Sequence, residues 1–359
     1  MFPDCPSNLY EIAKHLFKPV PILGTVGFHF RVRDRPDLVL PPTFFEEFLS
    51  SVRTLVLYGV TLPPGPRKLS QLTNFTLSMH ATGVSSTALL DALEQMPLLQ
   101  VFEVELDKLG HAREQDPVPV NRVITLPHLE EVTVTRDYQS SPPLADVILP
   151  ALCLPSARRV TVRLINARGF PRFPILPLSF EERLPCFSIT PKVSVTFGGG
   201  FNIEFFGSHE SKLTVYIDSS IGHPFTRLAF SATPFGSVRK LYVRFQECYG
   251  VAASFFGMLR TMERLEHIEM EQDTTLPLCF WRTEDDQAGI CPDLNTLIVT
   301  GRTFDTVEER VRQLEQVRNV AGVPIAQVMI GRWSDSGTST EDGFPTSHIG
   351  QCLVLSGCY

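Results

Sequence analysis

The sequence lacks the long apolar segments and the biased charge that mark membrane and nucleic-acid-binding proteins. No run of 18 or more apolar residues occurs in the 359-residue chain, and a transmembrane helix needs about 20. Residues 1–17, MFPDCPSNLYEIAKHLF, contain no basic segment followed by an apolar one, as a signal peptide would. The formal net charge is -7, which does not favour nucleic acid. We therefore expect a cytoplasmic or nuclear protein without a membrane or nucleic-acid partner.

The sequence also lacks the short motifs that identify common catalytic and metal sites. It has no phosphate-binding loop, no dinucleotide fingerprint, no H-E-x-x-H pair and no G-x-S-x-G turn. Its eight cysteines form no C-x-x-C pair, so we expect reduced thiols. FGGGF (197–201) reads as a tight turn, because no lysine or helix start completes a phosphate site. We expect no catalytic residue, cofactor or metal; the alternative is a hydrolase-like enzyme with an unrecognised site on a mixed α/β fold.

What the sequence does contain is one apolar pattern repeated along most of its length. The template L-x-x-L-x-L recurs twelve times, with successive matches 20 to 33 residues apart. Three matches have a weak first residue, at Ala157, Thr190 and Glu210. The last apolar residues of the matches are Phe28, Leu57, Leu77, Val104, Val134, Val162, Val195, Val215, Val243, Met270, Val299 and Ile330. Such spacing is close to that of leucine-rich repeats.

The pattern predicts an α/β fold, a leucine-rich-repeat solenoid. Alternate side chains of an extended segment face opposite sides, so the last two apolar residues of each match point inward and need a neighbouring repeat to cover them. We expect a curved horseshoe with one parallel sheet on its concave side and helices or irregular segments on its convex side. Apolar spacing predicts helices at 85–96, 252–265 and 306–317. Their predicted apolar faces are Leu89, Leu90 and Leu93 in the first, Phe255, Phe256, Leu259 and Met262 in the second, and Val307, Val311, Leu314 and Val317 in the third. About twelve units fill residues 1–335, and a loose tail follows at 336–359.

Four blocks, in this order, resemble the repeat region of the fungal F-box leucine-rich-repeat proteins. They are LVLPPTFFEEFLSSVRTLVLYGVTLP (38–63), LTNFTLSM (72–79), LLDALEQMPLLQVFEVEL (89–106) and ITLPHLEEVTV (124–134). The resemblance implies a substrate-recognition region of a ubiquitin ligase. The F-box, the segment that binds a cullin-ligase adaptor, is not found in this chain, so an adaptor is expected as a partner only if an F-box lies upstream. A truncated, inactive family member is a further alternative.

The polar residues between the apolar positions predict a surface for a protein partner. Six basic residues and two tyrosines fall in four consecutive matches of an otherwise acidic chain, and an acidic or phosphorylated segment would suit them. The alternative is that they are ordinary solvated residues of a sheet. We expect a monomer. The predicted partner-binding residues are Arg159, Arg163, Lys192, Lys212, Tyr216, Lys240, Tyr242 and Arg244.

Overall fold

The fold is known from a computed structural model that describes fifteen segments of the chain. They are residues 24–29, 38–39, 52–61, 69–79, 86–106, 122–137, 144–165, 180–197, 201–217, 234–245, 258–272, 291–301, 304–320, 322–333 and 349–356. The chain divides into two compact units. The N-terminal unit comprises residues 1–167 and 173–186, and the C-terminal unit comprises residues 168–172 and 187–359.

The N-terminal unit contains a parallel sheet. Its strands in chain order are β1 (Thr25–His29), β2 (Leu38–Val39), β3 (Thr54–Tyr58), β4 (Val60–Thr61), β5 (Asn74–Met79), β6 (Val101–Leu106), β7 (Ile124–Thr125), β8 (Glu131–Asp137), β9 (Leu152–Cys153) and β10 (Arg159–Ile165). The order β1-β3-β5-β6-β8-β10 is parallel throughout. The short strands β2 and β4, and likewise β7 and β9, form separate parallel pairs. The described helices are α1 (Ser86–Glu94), α2 (Leu144–Ala151) and α3 (Phe180–Arg183).

The predicted inward residues of this unit are register partners. The last apolar residues of the first six matches lie directly opposite one another from strand to strand. Those from Leu57 to Val162 are buried. The preceding inward residues are buried as well, and the rings of Phe75 and Phe102 stack with their centroids 5.9 Å apart. Burial of each such side chain contributes about 1.5–3 kcal/mol, so neighbouring repeats share one apolar layer.

The C-terminal unit contains a sheet that is only mostly parallel. Its strands are β11 (Lys192–Phe197), β12 (Phe201–Phe206), β13 (Lys212–Ile217), β14 (Lys240–Phe245), β15 (His267–Gln272), β16 (Thr296–Gly301), β17 (Gln327–Trp333) and β18 (Ile349–Ser356). They lie in the order β13-β12-β11-β14-β15-β16-β17-β18. The longest described helix, α4 (Phe304–Val320), precedes β17.

Two strands of the C-terminal unit run antiparallel to their neighbours, so the prediction of one wholly parallel sheet is wrong. β12 pairs antiparallel with both β11 and β13, and β18 pairs antiparallel with β17. The reason for β12 is the length of its connections, three residues (198–200) and five residues (207–211). A parallel crossover needs a dozen or more residues. Consequently β11 and β13, predicted as successive repeats, are separated by β12.

The same turn opens most of the repeats. The N–H of the first apolar residue donates to the carbonyl three residues earlier, as in Leu99 to Met96 (3.1 Å) and Leu294 to Cys291 (3.1 Å). In four repeats the second residue of this turn is proline, whose fixed φ suits that position. These prolines are Pro97, Pro127, Pro155 and Pro292. Each of these prolines therefore stands in the turn that leads into a strand.

A second backbone hydrogen-bond pattern recurs between neighbouring strands. One carbonyl at the start of a strand accepts the N–H groups of two consecutive residues at the start of the next strand. The Gln100 carbonyl accepts from Glu130 and Glu131 at 2.8 and 3.0 Å. The Arg239 carbonyl accepts from Glu266 and His267, both at 3.0 Å. The same arrangement recurs at the carbonyls of Gly24, Arg53, Thr73, Glu130, Pro191 and Glu266.

The helices follow the predicted apolar spacing with two differences. Leu89, Leu90 and Leu93 of α1 are buried, as predicted. In α4 the inward face runs from Val307 through Val311 and Leu314 to Arg318, which is 2% exposed, whereas Val317 is 43% exposed. In the predicted helix at 252–265, the described helical residues end at 260, because the turn that opens β15 follows. Its first residues, with Phe255 and Phe256, lie outside the described residues.

The predicted loose tail, 336–359, contributes a strand to the C-terminal unit. β18 pairs with β17 along its length, with an irregularity between Gly331 and Trp333. The apolar residues Leu353 and Leu355 oppose Ile330 and Val328, which are both fully buried. The other residues of the tail lie outside the described ones.

Candidate partner-binding face

In the N-terminal unit the polar face of the sheet holds Arg159 and Arg163 on its last strand, β10. Arg159 lies opposite Glu131 of β8, and their side chains form an ion pair at 2.9 Å. Arg163 lies opposite Thr135, which in turn lies opposite Glu105 of β6. Because these groups are exposed, such a pair contributes at most about 1 kcal/mol. The two arginines of β10 therefore lie beside strands that carry acidic residues, and the charge of Arg159 is partly neutralised by Glu131.

In the C-terminal unit the polar face is organised in three rows that cross the strands. Each row consists of residues that oppose one another from β13 to β15. The first, which we name the basic row, is Lys212, Phe206, Lys192, Lys240 and His267. The second is Thr214, Glu204, Ser194, Tyr242 and Glu269. The third is Tyr216, Asn202, Thr196, Arg244 and Glu271.

The basic row places three nitrogen-bearing side chains on adjacent strands. Lys192, Lys240 and His267 open β11, β14 and β15, and they share one face because Val193, Leu241 and Ile268 point inward. Neighbouring strands are about 4.8 Å apart. Lys240 is exposed, and the other two side chains are half-buried. Three potential hydrogen-bond donors therefore lie within reach of one small anion.

Phe206 separates this group from Lys212. Its ring lies 5.6 Å from the Nζ atom of Lys192 and 5.6 Å from that of Lys212. A ring face attracts a cation at this distance. Lys212 also forms an ion pair of 2.8 Å with Glu204 of the second row. Its charge is therefore partly neutralised on the protein itself.

His267 is electrostatically coupled to the two lysines beside it. Burial lowers the pKa of its imidazole, and the positive charges of Lys240 and Lys192 lower that pKa further. A third positive charge on β15, beside the two lysine-bearing strands, is unfavourable unless an anion is present. The free protein therefore holds His267 as a neutral imidazole near pH 7.

The second row is acidic and partly covered. Burial raises the pKa of the Glu269 carboxyl, which bonds to the Tyr242 hydroxyl, and burial also raises the pKa of Tyr242. The raised pKa of Tyr242 keeps its hydroxyl protonated, and this hydroxyl donates the hydrogen bond to the Glu269 carboxyl. With Glu204 on the same row, this arrangement places negative charge one step along the strands from the basic row.

The third row is buried at its β15 end and exposed at its β13 end. Arg244 and Glu271 form an ion pair at 3.4 Å, and Glu271 is 7% exposed. Thr300, which continues the row on β16, is fully buried and donates from its hydroxyl to the Met270 carbonyl at 3.3 Å. Tyr216, at the other end, is exposed. The basic row contains no buried residue, whereas the second and third rows are buried at Tyr242 and Glu271, so access to a partner is best along the basic row.

The structure brings together only part of the predicted surface. Lys192 and Lys240 are direct neighbours, with Tyr242 and Arg244 on the strand of Lys240. Lys212 and Tyr216 lie on β13, two strands from β11, so the prediction that these strands are successive is wrong. Sequence reasoning missed Phe206 and left His267 out of the basic set. The alternation of FNIEFF (201–206) was the available signal for β12.

Several other features of the described residues bear on function. No group of three or more His, Cys, Asp or Glu residues among them is placed to hold a metal ion. Of their cysteines, Cys153, Cys186 and Cys291 are free thiols. In the described part of the chain, no helix combines the length and the apolar character that crossing a membrane requires.

Comparison with known proteins gave no assignment. In comparisons of this chain with models of protein families and with curated proteins, no family model and no curated protein matched.

Proposed function

We propose that the chain is a non-enzymatic interaction scaffold, a leucine-rich-repeat solenoid that presents the polar face of its strands to another protein. The observation that carries the proposal is the register: equivalent residues of successive repeats lie opposite one another, so side chains on the polar face form continuous rows. Repeated turns and repeated two-donor carbonyls support a solenoid, in which each repeat is stabilised by its neighbours.

The resemblance to fungal F-box leucine-rich-repeat proteins extends this proposal to substrate recognition for a ubiquitin ligase, in the cytoplasm or nucleus. On this proposal the sheet face selects the substrate, and a cullin-ligase adaptor is a partner only if an F-box lies upstream of this chain. The recurring turn of Met96-Pro97 and Leu126-Pro127, which opens the strands of two of the resembling blocks, supports the likeness of the repeats.

Affinity capture with matched charge reversals tests the scaffold. With Lys240→Glu as bait, we expect at least one protein captured by the wild type from a lysate of the source cells to be lost. Arg264→Glu changes the net charge equally at an exposed position in the turn before β15, outside the three rows, and should retain that protein. Capture would be read by quantitative mass spectrometry, after circular dichroism has shown that both variants are folded.

Two results would count against the scaffold. One is capture of the same proteins by the wild type and by Lys240→Glu. The other is equal loss with Arg264→Glu, since the effect would then follow net charge and not the position of the residue on the sheet.

A further inference from the structure

We propose that Lys192, Lys240 and His267 bind a single phosphoryl group carried by a peptide, so that the basic row recognises a phosphorylated partner in preference to a merely acidic one. This inference rests on the proposed function and narrows its partner to one chemical class.

The first support is convergence. The three residues occupy the same register position on the adjacent strands β11, β14 and β15, so their Cα atoms lie within about 10 Å of one another. The two lysine side chains are long enough to bring their ammonium groups to one point above the central strand. A phosphoryl group offers three strong acceptor oxygens and nearly two negative charges, whereas a carboxylate offers two oxygens and one charge.

The second support is confinement of the positive charge. On one side Phe206 lies between Lys192 and Lys212, and Lys212 is paired with Glu204 at 2.8 Å. On the other side, β16 and β17 continue the row with the uncharged Thr296 and Gln327. The positive electrostatic potential is therefore limited to three adjacent strands. It favours one concentrated negative charge over a series of separate carboxylates.

The third support is the acidic second row. Glu269 lies two residues along β15 from His267, on the same face, and Glu204 occupies the same row on β12. A peptide carrying several carboxylates along the strands would place some of them against these groups. A single phosphorylated side chain among uncharged residues can place its whole charge against the basic row.

The charged groups around His267 determine how a bound phosphoryl group would change the protonation of its imidazole. Lys240 and Lys192 face it from β14 and β11, Glu269 lies on its own strand, and Glu266 immediately precedes it. Glu266 pairs with Arg239 at 3.2 Å. A phosphoryl dianion between the lysines would reverse the local sign of the potential and favour the imidazolium.

Titration of the full chain with a small probe tests the inference. The probe is acetyl-Ala-phosphoserine-Ala-amide, and the readout is the proton NMR signal of His267, assigned by its loss in His267→Gln. We expect saturable binding, an upward shift of the pKa of His267 in the complex, and at least tenfold weaker binding of acetyl-Ala-Glu-Ala-amide. Lys240→Gln should weaken binding of the phosphopeptide at least tenfold.

The control variant is Lys212→Gln, which removes a lysine of the same row beyond Phe206 and should change the affinity less than twofold. Equal affinity for the glutamate peptide, equal effects of Lys212→Gln and Lys240→Gln, or no saturable shift of His267 would each overturn the inference. Failure of the scaffold itself is distinguishable. A captured protein that is lost with Lys240→Glu but survives phosphatase treatment of the lysate supports the scaffold and rejects the phosphoryl site.

Discussion

Replacing Phe102 with alanine is expected to lower the free energy of unfolding of the N-terminal unit by about 3–5 kcal/mol. The Phe102 ring is fully buried on β6, and it stacks on Phe75 of the neighbouring strand with the centroids 5.9 Å apart. Truncation removes the apolar contact and leaves a cavity that two rigid strands cannot close. Urea-induced unfolding followed by circular dichroism measures the change.

The matched control for this variant is the next residue. Glu103→Ala changes the same strand on its exposed, polar face, and it should alter the free energy of unfolding by no more than about 0.5 kcal/mol. Similar effects of the two substitutions would contradict the assignment of inward and outward positions on β6.

Replacing Arg318 with alanine is expected to destabilise the C-terminal unit by about 3 kcal/mol. The Arg318 guanidinium is buried and joins three segments. Its Nε donates to the Val323 carbonyl at 3.0 Å, and its Nη2 donates to the Cys291 carbonyl at 3.1 Å. Loss of the donors leaves the buried Cys291 carbonyl and the partly buried Val323 carbonyl without these hydrogen bonds, at about 1–3 kcal/mol for a buried group. Thermal and urea-induced unfolding give the magnitude.

An arginine on the exposed side of the same helix provides the comparison. Arg312 pairs with Glu308 one turn earlier, at 2.6 Å, on the surface of α4. Arg312→Ala should cost no more than about 0.5 kcal/mol. Arg318→Lys should recover only part of the lost stability, because one ammonium group cannot reproduce both hydrogen bonds of the guanidinium. If Arg318→Ala left the free energy of unfolding unchanged, packing alone, without these hydrogen bonds, would join the helix to the turn at Cys291.

The strands were predictable because burial on one face of a strand imposes a period of two residues on the sequence. Each of the twelve template matches lies at a strand of the structure. Within each parallel run the last apolar residues are register partners, as Val243, Met270, Val299 and Ile330 show. A shift of one residue would turn every apolar side chain outward, so the pattern fixed the register together with the strand.

The order of strands was not predictable from spacing. Leu57 and Leu77 are 20 residues apart and lie on adjacent parallel strands, whereas Val195 and Val215 are also 20 apart and lie on strands separated by β12. The difference is in the connections, since only the second interval holds an alternating run between two short loops. The weak first residue, Glu210, is exposed in the turn before β13 and has a φ of 62°. Glu210 therefore lies in the hairpin that joins β12 to β13 and does not begin a separate repeat.

The inward face of α4 shows why apolar character alone is an incomplete guide. Spacing of apolar residues selected Val317, but the helix turns Arg318 inward. A buried arginine is compatible with the fold only because carbonyls of the turn at Cys291 and of Val323 are placed to accept its hydrogen bonds. Cys291 has a φ of 49°, and burial raises the pKa of its thiol to about 12. These tertiary partners leave no periodic signal in the sequence.

For the candidate site, the sequence predicts which residues face outward but not which of them are neighbours. Outward positions could be read from the alternation, and these include Lys192, Lys240 and Tyr242. Which outward residues meet depends on strand order, so the placement of His267 beside Lys240 and of Phe206 beside Lys192 required the structure. The ion pairs that neutralise Arg159 and Lys212 likewise follow from cross-strand register.

The most direct test of the register-matched face is disulfide formation between cysteines placed on it. Lys192→Cys with Lys240→Cys joins register partners of β11 and β14, about 4.8 Å apart, within the range that a disulfide spans. Lys192→Cys with Lys212→Cys joins positions two strands apart, roughly 10 Å, which is too far. After mild oxidation, peptide mass spectrometry should find the disulfide in the first variant and free thiols at both positions in the second. A disulfide between residues 192 and 212, with none between 192 and 240, would contradict the strand order and the basic row built on it.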